Sequence, residues 1–310
     1  RSLMKAAYIE EHGGPEVLRY GDVQDPIAGA GEVLVDVYAA SVNGADWKVR
    51  SGASGEITSF PYVLGRDFSG IVSALGKGVD DFNVGDAVFG VCAGGQEGAY
   101  AEKIAVKASI IARKPDNLSH IEAASLALIG LTALISIEDT LALKSGETIL
   151  IQGGAGGVAS FAIQLAKHIG ARVITTASAT NHNYLRRLGV DEIIDYNVED
   201  FTDVVSGCDA VFETAGGDVV QRSFAVLKPG GRAAFIASGG KAPEASRGDV
   251  QSLRPAVGRD RSHLERILEL IAAGAVQVPE ITEYALSDAV AAHTISEARH
   301  LRGKLVFKVR

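Results

Sequence analysis

The chain has 310 residues, 47% of them hydrophobic and 22% charged, and it carries a net charge of −8 at pH 7. This composition is typical of a soluble globular protein that is long enough for two domains. The acidic balance disfavours binding to nucleic acid or to anionic membranes, whose phosphates select basic surfaces. Two cysteines cannot by themselves build a disulfide framework or a zinc cluster. We find no signal-like leader and no apolar run of about 18 residues, so we expect a cytoplasmic protein without a membrane span.

Short β-rich segments separated by turn residues dominate the chain up to residue 113. Residues 5–10 and 13–18 are two such segments, and in residues 32–39 valines alternate with other residues. Turn residues recur at 80–86. The pattern predicts a compact all-β unit, and the lack of an internal repeat argues against an array.

Beyond a linker at 114–119, the pattern changes to alternating helices and strands. Ser119 can cap a helix that starts at Ile121. The predicted elements are helices at 121–128 and 132–140, a strand at 148–151, a helix that Gly170 stops, strands at 172–176, 192–196, 210–214, 232–237 and 301–308, a helix that ends at 185–188, a loop at 242–261 and a helix at 263–273. Such alternation predicts a doubly wound parallel sheet with its ligand at the carboxyl ends of the strands.

A glycine-rich turn follows the strand predicted at 148–151. Residues 154–159 fit the pattern G-x-G-x-x-G/A, with alanine in the last position. In a strand-turn-helix setting, small residues allow a tight turn and a close approach of backbone to a pyrophosphate, which then meets the helix N-terminus. An ordinary turn is the alternative in a chain with 36 glycines. The predicted phosphate contacts are Gly153, Gly154, Ala155, Gly156, Gly157 and Val158.

Motifs from end to end of the chain carry a family resemblance. They are Met4-Lys5-Ala6, Gly13-Gly14-Pro15-Glu16-Val17-Leu18, Asn43-Gly44-Ala45-Asp46-Trp47-Lys48-Val49-Arg50-Ser51-Gly52, Gly85-Asp86-Ala87-Val88-Phe89-Gly90, Gly98-Ala99-Tyr100-Ala101-Glu102, Ala155-Gly156-Gly157-Val158, Leu227-Lys228-Pro229-Gly230-Gly231 and Arg302-Gly303-Lys304-Leu305-Val306. With them the chain resembles the zinc-independent quinone oxidoreductases, related to zeta-crystallin, of the medium-chain dehydrogenase/reductase superfamily. The resemblance implies an α/β protein with a GroES-like β-rich catalytic domain at 4–121 and 255–310, a Rossmann cofactor domain at 122–254, and a homodimer.

The resemblance also bears on zinc. Zinc-containing members have a cysteine where Asn43 stands and Gly-His-Glu where this chain has Gly65-Arg66-Asp67. The seven histidines show no paired ligand spacing, so we expect no metal. Without a Lewis acid to polarise an alcohol, hydride addition to an already electrophilic quinone or alkene is the natural reaction.

The end of the second Rossmann strand indicates the cofactor. NAD-binding folds place an acid about 20 residues past the glycines, whereas residues 177–182 contain none and the next carboxylate is Asp191. We therefore expect NADPH. By resemblance, the 2′-phosphate would be held near Ser178 and Asn181, where relatives often have lysine at the latter, with Tyr196 and Lys308. Alternatively, Tyr196 packs under the sheet edge and Lys308 is solvated.

Further cofactor and substrate contacts rest on the resemblance alone. The additional cofactor contacts are Thr132, Ala215, Gly216, Ala237, Ser238 and Phe307. Asn43 would face the nicotinamide and the acceptor, while Asp46 would pair with Arg50 to hold the loop. Lys48 replaces a tyrosine of many relatives and is either a cationic stabiliser of the reduced acceptor or a surface lysine. Weaker substrate candidates are Trp47 and Tyr62, for which core packing is the alternative, and Arg254.

Together these features predict an NADPH-dependent reductase of a small-molecule quinone or enone. One alternative is an enoyl-thioester or alkenal reductase, which shares the fold. The other is a crystallin-like protein that binds NADPH or RNA without catalysis, although the acidic balance counts against RNA.

Overall fold

The computed structural model describes residues 2–310, which form two compact units. The first unit contains the chain up to Leu128 together with Gly258–Glu269 and Val278–Arg310, and the second contains Ile129–Val257 with Leu270–Gln277. The domain boundaries given above from the sequence stay a prediction.

The N-terminal part of the first unit is built from β-strands around one central strand. Its elements are β1 (Leu3–Ile9), β2 (Arg19–Gln24), β3 (Glu32–Ser41), α1 (Gly44–Ser51), β4 (Tyr62–Val63), β5 (Asp67–Leu75), β6 (Ala87–Val91), β7 (Lys103–Lys107) and β8 (Ile111–Arg113). One sheet has the order β2-β1-β4. In the larger sheet, β3 pairs with both β5 and β7. The predicted alternation is confirmed, because Val33, Val35 and Val37 are fully buried.

The second unit contains a parallel sheet with the Rossmann strand order. The elements that follow in the chain are α2 (His120–Leu134), β9 (Thr148–Ile151), α3 (Gly157–Ile169), β10 (Arg172–Thr176), α4 (His182–Arg187), β11 (Glu192–Ile194), α5 (Phe201–Val204), β12 (Cys208–Glu213), α6 (Val219–Arg222), β13 (Leu227–Phe235) and β14 (Gln251–Leu253). The sheet order is β11-β10-β9-β12-β13-β14. Successive strands are thus added on one side of β9 up to β11 and on its other side from β12 onwards. Ligands of such sheets bind at this switch point, outside the carboxyl ends of the strands.

The opening βαβ unit of this sheet agrees with its prediction from the sequence. Strands β9 and β10 have the predicted bounds, and Gly170 ends α3 in the left-handed conformation with φ of 102°. Covered on both faces, β9 needs no alternation, and its residues Ile149, Leu150 and Ile151 are all fully buried.

The last elements belong to the first unit, except for the helix end from Leu270 onwards, which belongs to the second. They are α7 (Arg261–Ala272), β15 (Ile281–Tyr284), α8 (Ala289–Glu297) and β16 (Lys304–Lys308). Strand β16 pairs antiparallel with the end of β3 and parallel with β15. The fold class predicted from the sequence, a GroES-like β-rich domain with a Rossmann sheet, is confirmed.

Five of the predicted elements need correction. Residues 13–18 contain a 3₁₀ turn at Pro15–Val17 rather than a β segment, since proline fixes φ near the helical value. The two helices predicted at 121–128 and 132–140 are one α-helix, α2, continued by a π-helical segment at Ile135–Thr140. The buried Gly130 does not break it, because packing overrides a propensity cost of about 1 kcal/mol. The predicted loop at 242–261 contains β14, and the last strand begins at Lys304 rather than at residue 301.

The apolar segment at His120–Thr140 also differs from expectation. By length and composition this helical segment of 21 residues could cross a membrane, although we found no such run in the sequence. However, 78% of its most apolar window is buried inside the protein. This burial is the property of a core helix.

A buried polar chain fixes α1 against α8. The carboxylate of Asp46 accepts hydrogen bonds from the Asn43 backbone N–H (3.0 Å) and from the Tyr100 hydroxyl (2.6 Å). The Tyr100 oxygen lies 3.0 Å from Nε2 of His293, whose Nδ1 is 2.8 Å from the Arg50 guanidinium. Arg50 in turn forms an ion pair with Glu297. The predicted direct pair of Asp46 and Arg50 is therefore wrong, because Tyr100 and His293 stand between them.

Asp46 is under-satisfied for a charged group. It is fully buried, and its Oδ1 has no hydrogen-bond partner among the described residues. Burial raises the pKa of Asp46 to about 7, against the hydrogen bonds from Tyr100 and Asn43, which lower it. An aspartate of the unfolded chain loses its proton near pH 4. Folding thus takes up a proton between pH 4 and pH 7, so this group makes the protein less stable as the pH rises through that window.

We predict that Asp46→Asn is more stable than the wild type at pH 8, by at least about 1.4 kcal/mol, the free energy of one pKa unit. The amide oxygen can keep both hydrogen bonds while the buried charge is lost. The difference should shrink at pH 5, as measured by urea unfolding of both proteins. Asp80→Asn, at an exposed position, is the control. A variant of equal or lower stability at pH 8 would contradict the prediction.

Candidate functional site

The predicted phosphate turn lies between β9 and α3 in a conformation that requires glycine. Gly153 has φ of 73°, in the left-handed region. A Cβ on Gly154 would lie 2.2 Å from Oγ1 of Thr175, so no larger residue fits. Gly156 is the N-cap of α3, whose first N–H groups have no partner within the helix and suit an anion.

A cavity of about 580 Å³ lies elsewhere on the first unit, but a second cavity of about 560 Å³ coincides with the predicted cofactor residues. It lies at the carboxyl ends of β9, β10, β11 and β12 and is lined by Gly153, Tyr196, Ala215 and Gly216 among others. Tyr196 is 56% exposed, so it does not pack under the sheet edge. The structure thus brings residues from four strand ends together at one edge of the sheet.

Two of the four residues predicted for the 2′-phosphate, Ser178 and Asn181, form a small polar group with Thr180 after β10. Oγ of Ser178 is 3.1 Å from Oγ1 of Thr180, and Asn181 donates from Nδ2 to Ser178 Oγ over 3.4 Å. The next carboxylate, Asp191, accepts hydrogen bonds from Lys167 and from the Val173 backbone. The Asp191 carboxylate is therefore already bound by groups of the protein.

The other predicted cofactor contacts differ in accessibility. Thr132 is buried in α2 with 9% of its surface exposed. Ala237 and Ser238 follow β13 and are half-buried, and Lys308 is exposed. The Phe307 ring is fully buried against Tyr100, with 4.8 Å between ring centroids, so its side chain belongs to the core rather than to an accessible surface.

The predicted catalytic residue Asn43 lies between β3 and α1, and its carboxamide is bound at both ends. Its Oδ1 accepts a hydrogen bond from Nζ of Lys304 (2.7 Å), and its Nδ2 donates to Oδ1 of Asp67 (3.2 Å) and to Oγ of Ser41 (3.4 Å). Burial raises the pKa of Asp67 and lowers that of Lys304, while each is opposed by the charge of the other. The two buried charges therefore compensate each other.

The remaining substrate candidates lie on more open surfaces. Lys48 is half-buried on α1, with its ammonium 5.7 Å from the ring centroid of Trp47, which is also half-buried. Tyr62 is half-buried and donates its hydroxyl hydrogen to Glu97. Arg254 is exposed and donates to the carbonyl of Phe235 over 3.0 Å.

Sequence reasoning missed two groups that the structure adds. Lys304, Asp67 and Ser41 are buried around Asn43. The first two lie within the sequence motifs given above, but Ser41 does not. Arg222 lines the cavity at the strand ends and forms ion pairs with Asp200 and Asp218. A buried lysine in a strand, as in the run at 304–308, is the one signal that could have pointed to the first group.

Comparisons with known proteins agree with this architecture. The alcohol dehydrogenase GroES-like domain family matches residues 29–116, and the zinc-binding dehydrogenase family matches residues 188–307. The 2-methylene-furan-3-one reductase of Solanum lycopersicum is 37% identical over 240 residues, which are 74% of this chain and 61% of that protein. The chain thus spans less than two thirds of that relative's length.

Two solved structures cover nearly the whole chain. The quinone oxidoreductase of Coxiella burnetii has a TM-score of 0.93 and 36% identity, with 100% of both chains covered. The Escherichia coli quinone oxidoreductase, solved in complex with NADPH, has a TM-score of 0.90 and 28% identity over 98% of this chain and 99% of that one. On these matches, the chain belongs to the quinone oxidoreductases of the medium-chain dehydrogenase/reductase superfamily and is an oxidoreductase.

Proposed function

We propose that this protein is an NADPH-dependent reductase that transfers hydride to a quinone, or to another activated carbonyl or alkene, without zinc. The observation that carries the proposal is the contact between Lys304 and Asn43. At the position where zinc-containing relatives have a cysteine ligand, Nζ of Lys304 lies 2.7 Å from the amide oxygen of Asn43.

The residues at this position do not fit zinc. A zinc site needs cysteine, histidine or carboxylate ligands that converge on the ion. Asn43 and Arg66 stand in two of the ligand positions. The amide oxygen of Asn43, the one atom of its side chain suited to bind a metal, already accepts a hydrogen bond from Lys304. Among the described residues, no group of three or more histidine, cysteine, aspartate or glutamate side chains could hold a metal ion.

The second unit fits a dinucleotide. Gly153, Gly154 and Gly156 leave room for a pyrophosphate at the N-terminus of α3, and the adenosine would occupy the cavity beside Ala215 and Tyr196. Ser178 follows β10, where an acid would select NADH, so the 2′-phosphate of NADPH would meet no negative charge there. Bound NADPH supplies the hydride. The complex of the Escherichia coli relative with NADPH supports this assignment.

An acceptor that is already electrophilic needs little help from the protein. Its oxygen gains negative charge when hydride adds, and a hydrogen-bond donor or cation placed there stabilises that charge. Asn43 and Lys48 are the proposed groups. The proton that completes the reduction can come from water.

Reduction of an enone is the second candidate. The Solanum lycopersicum relative is named for a methylene-furanone, in which an alkene is conjugated to a carbonyl. Both candidates put negative charge on an oxygen conjugated to the reacting carbon, so the same groups serve either acceptor.

We also propose a homodimer in the cytoplasm. The family resemblance supports the dimer. The composition supports the location, and the acidic charge supports a small-molecule partner rather than nucleic acid or membrane.

We expect NADPH oxidation with at least one of four acceptors: 1,4-benzoquinone, 9,10-phenanthrenequinone, an enone and crotonyl-CoA. Loss of absorbance at 340 nm measures it, with the protein-free mixture as the control because quinones react slowly with NADPH. Faster turnover with the quinones supports the first candidate, and with the enone the second. Tight NADPH binding without oxidation by any acceptor would reject the enzyme in favour of a binding protein.

We expect Ser178→Asp to shift the cofactor preference towards NADH by about tenfold or more, which corresponds to 1.4 kcal/mol. The new carboxylate would repel the 2′-phosphate and bind the ribose hydroxyl instead. The readout is the ratio of kcat/KM for NADPH and NADH. Asn183→Asp adds the same charge at an exposed position of α4 and is the control. An unchanged ratio would show that the 2′-phosphate binds elsewhere.

A further inference from the structure

Arg222 lines the cavity at the carboxyl ends of the strands, and three neighbours hold its guanidinium. The Cζ atom lies 4.9 Å from the ring centroid of Phe201. The two terminal nitrogens form ion pairs, Nη2 with Asp200 and Nη1 with Asp218, the latter over 3.3 Å. All four residues belong to the second unit and line this cavity. The guanidinium therefore has a defined place on the cavity wall.

The groups that hold Arg222 are themselves fixed by the fold. Phe201 is 3% exposed and packs in the apolar core of the second unit. Asp200 is the N-cap of α5, where its Oδ1 accepts hydrogen bonds from the backbone N–H (2.9 Å) and the hydroxyl (2.7 Å) of Thr202. The arginine thus loses conformational freedom on folding rather than on binding a ligand. Such preorganisation favours affinity.

Part of the guanidinium remains open to the cavity. The Arg222 side chain is 36% exposed, although its terminal nitrogens face the two aspartates and Phe201 lies against it from the core. A guanidinium is planar. Its exposed part is the side turned away from the core, where a flat ligand in the cavity can contact it.

The charges on the cavity wall decide which kind of ligand suits this surface. Among the described residues that line the cavity, Arg222 is the one basic residue, and the acidic residues are Glu199, Asp200 and Asp218. A phosphate at this wall would meet an excess of negative charge, and the guanidinium nitrogens that would bind it are already paired with carboxylates. A neutral aromatic base meets no such repulsion, and it stacks on a guanidinium plane.

We propose that Arg222 binds the adenine base of NADPH by stacking and makes the enzyme prefer a dinucleotide to nicotinamide mononucleotide. The inference rests on the proposed function, because it concerns how the bound NADPH is held. Gly153 of the phosphate turn lines the same cavity, so one dinucleotide can occupy both places. No bond forms or breaks in this contact.

The first test measures binding without turnover. Titration calorimetry with 5′-AMP and with 2′,5′-ADP compares the wild type with Arg222→Lys. Lysine keeps a cation for Asp200, so the cap of α5 stays, but it has no planar group for the base. We expect the Kd of both nucleotides to rise about fivefold or more, the lower end of the effect of removing one base stack. Arg172→Lys, at an ion-paired arginine at the other end of β10, is the matched control.

The two nucleotides separate stacking from a phosphate contact. Equal losses for both support stacking, because both carry the base. A loss confined to 2′,5′-ADP would show that Arg222 meets the 2′-phosphate. A Kd within twofold of the wild type for both would show that the arginine only holds α5. Either of these last two results, or no binding of 5′-AMP and 2′,5′-ADP by the wild type, would overturn the proposal.

A measurement on the wild type remains decisive if Arg222→Lys does not fold. In protein labelled with ¹⁵N-arginine, the base protons of bound 5′-AMP should give nuclear Overhauser effects to the Nε–H of one arginine. Arg222 is the arginine that lines the cavity. Bound 5′-AMP without any such effect would overturn the contact.

The last test uses turnover with two hydride donors. Reduced nicotinamide mononucleotide carries the same hydride as NADPH but no adenosine. Arg222→Lys should lower kcat/KM for NADPH about fivefold or more, mainly through KM, and leave that for the mononucleotide within twofold. An equal fall with both donors would overturn the base contact in favour of a purely structural arginine. A wild type that binds 5′-AMP but oxidises no NADPH would reject the proposed function, and the binding test would still decide this inference.

Discussion

The buried carboxylate of Asp67 is the constraint on which the first unit depends. Fully buried at the start of β5, it accepts hydrogen bonds from the backbone and hydroxyl of Ser41, from Asn43 and from the Leu128 backbone. The charge that compensates it is on Lys304, near the other end of the chain. A buried charge is costly unless it is paired and hydrogen-bonded. The Asp67 carboxylate therefore requires four parts of the chain to lie close together: the end of β3, the loop of Asn43, helix α2 at Leu128 and strand β16.

The same constraint shapes the proposed chemistry. In zinc-containing relatives the corresponding positions carry ligands of a dication, whereas here a lysine, an amide and a carboxylate satisfy one another. The positive charge of Lys304 thus compensates the Asp67 carboxylate and holds the amide oxygen of Asn43. The proposed acceptor, which is electrophilic without activation, needs no metal at this position.

Much of the fold could be predicted from the sequence, because local patterns specify it. The β-branched runs of β9 and β10, the apolar spacing of α3 and Gly170 after it each carry their own signal, and their bounds agreed with the structure. Prediction failed where packing overrides propensity, as at Gly130 inside α2, and where a strand is too short for a pattern, as in β14. The direct pair of Asp46 and Arg50 failed for another reason: Tyr100 and His293, distant in sequence, intervene.

The sequence by itself determined the family, the phosphate turn and the lack of an acid after β10, since each depends on residues that are neighbours in the chain. It also identified Asn43 as the residue that replaces a zinc ligand. Only the tertiary structure showed which groups hold the Asn43 amide. The groups that orient its amide come from β5 and β16, and a hydrogen bond between residues 261 positions apart leaves no periodic trace in the sequence. Burial strengthens that contact, because a hydrogen bond is stronger in the low-dielectric interior than in water.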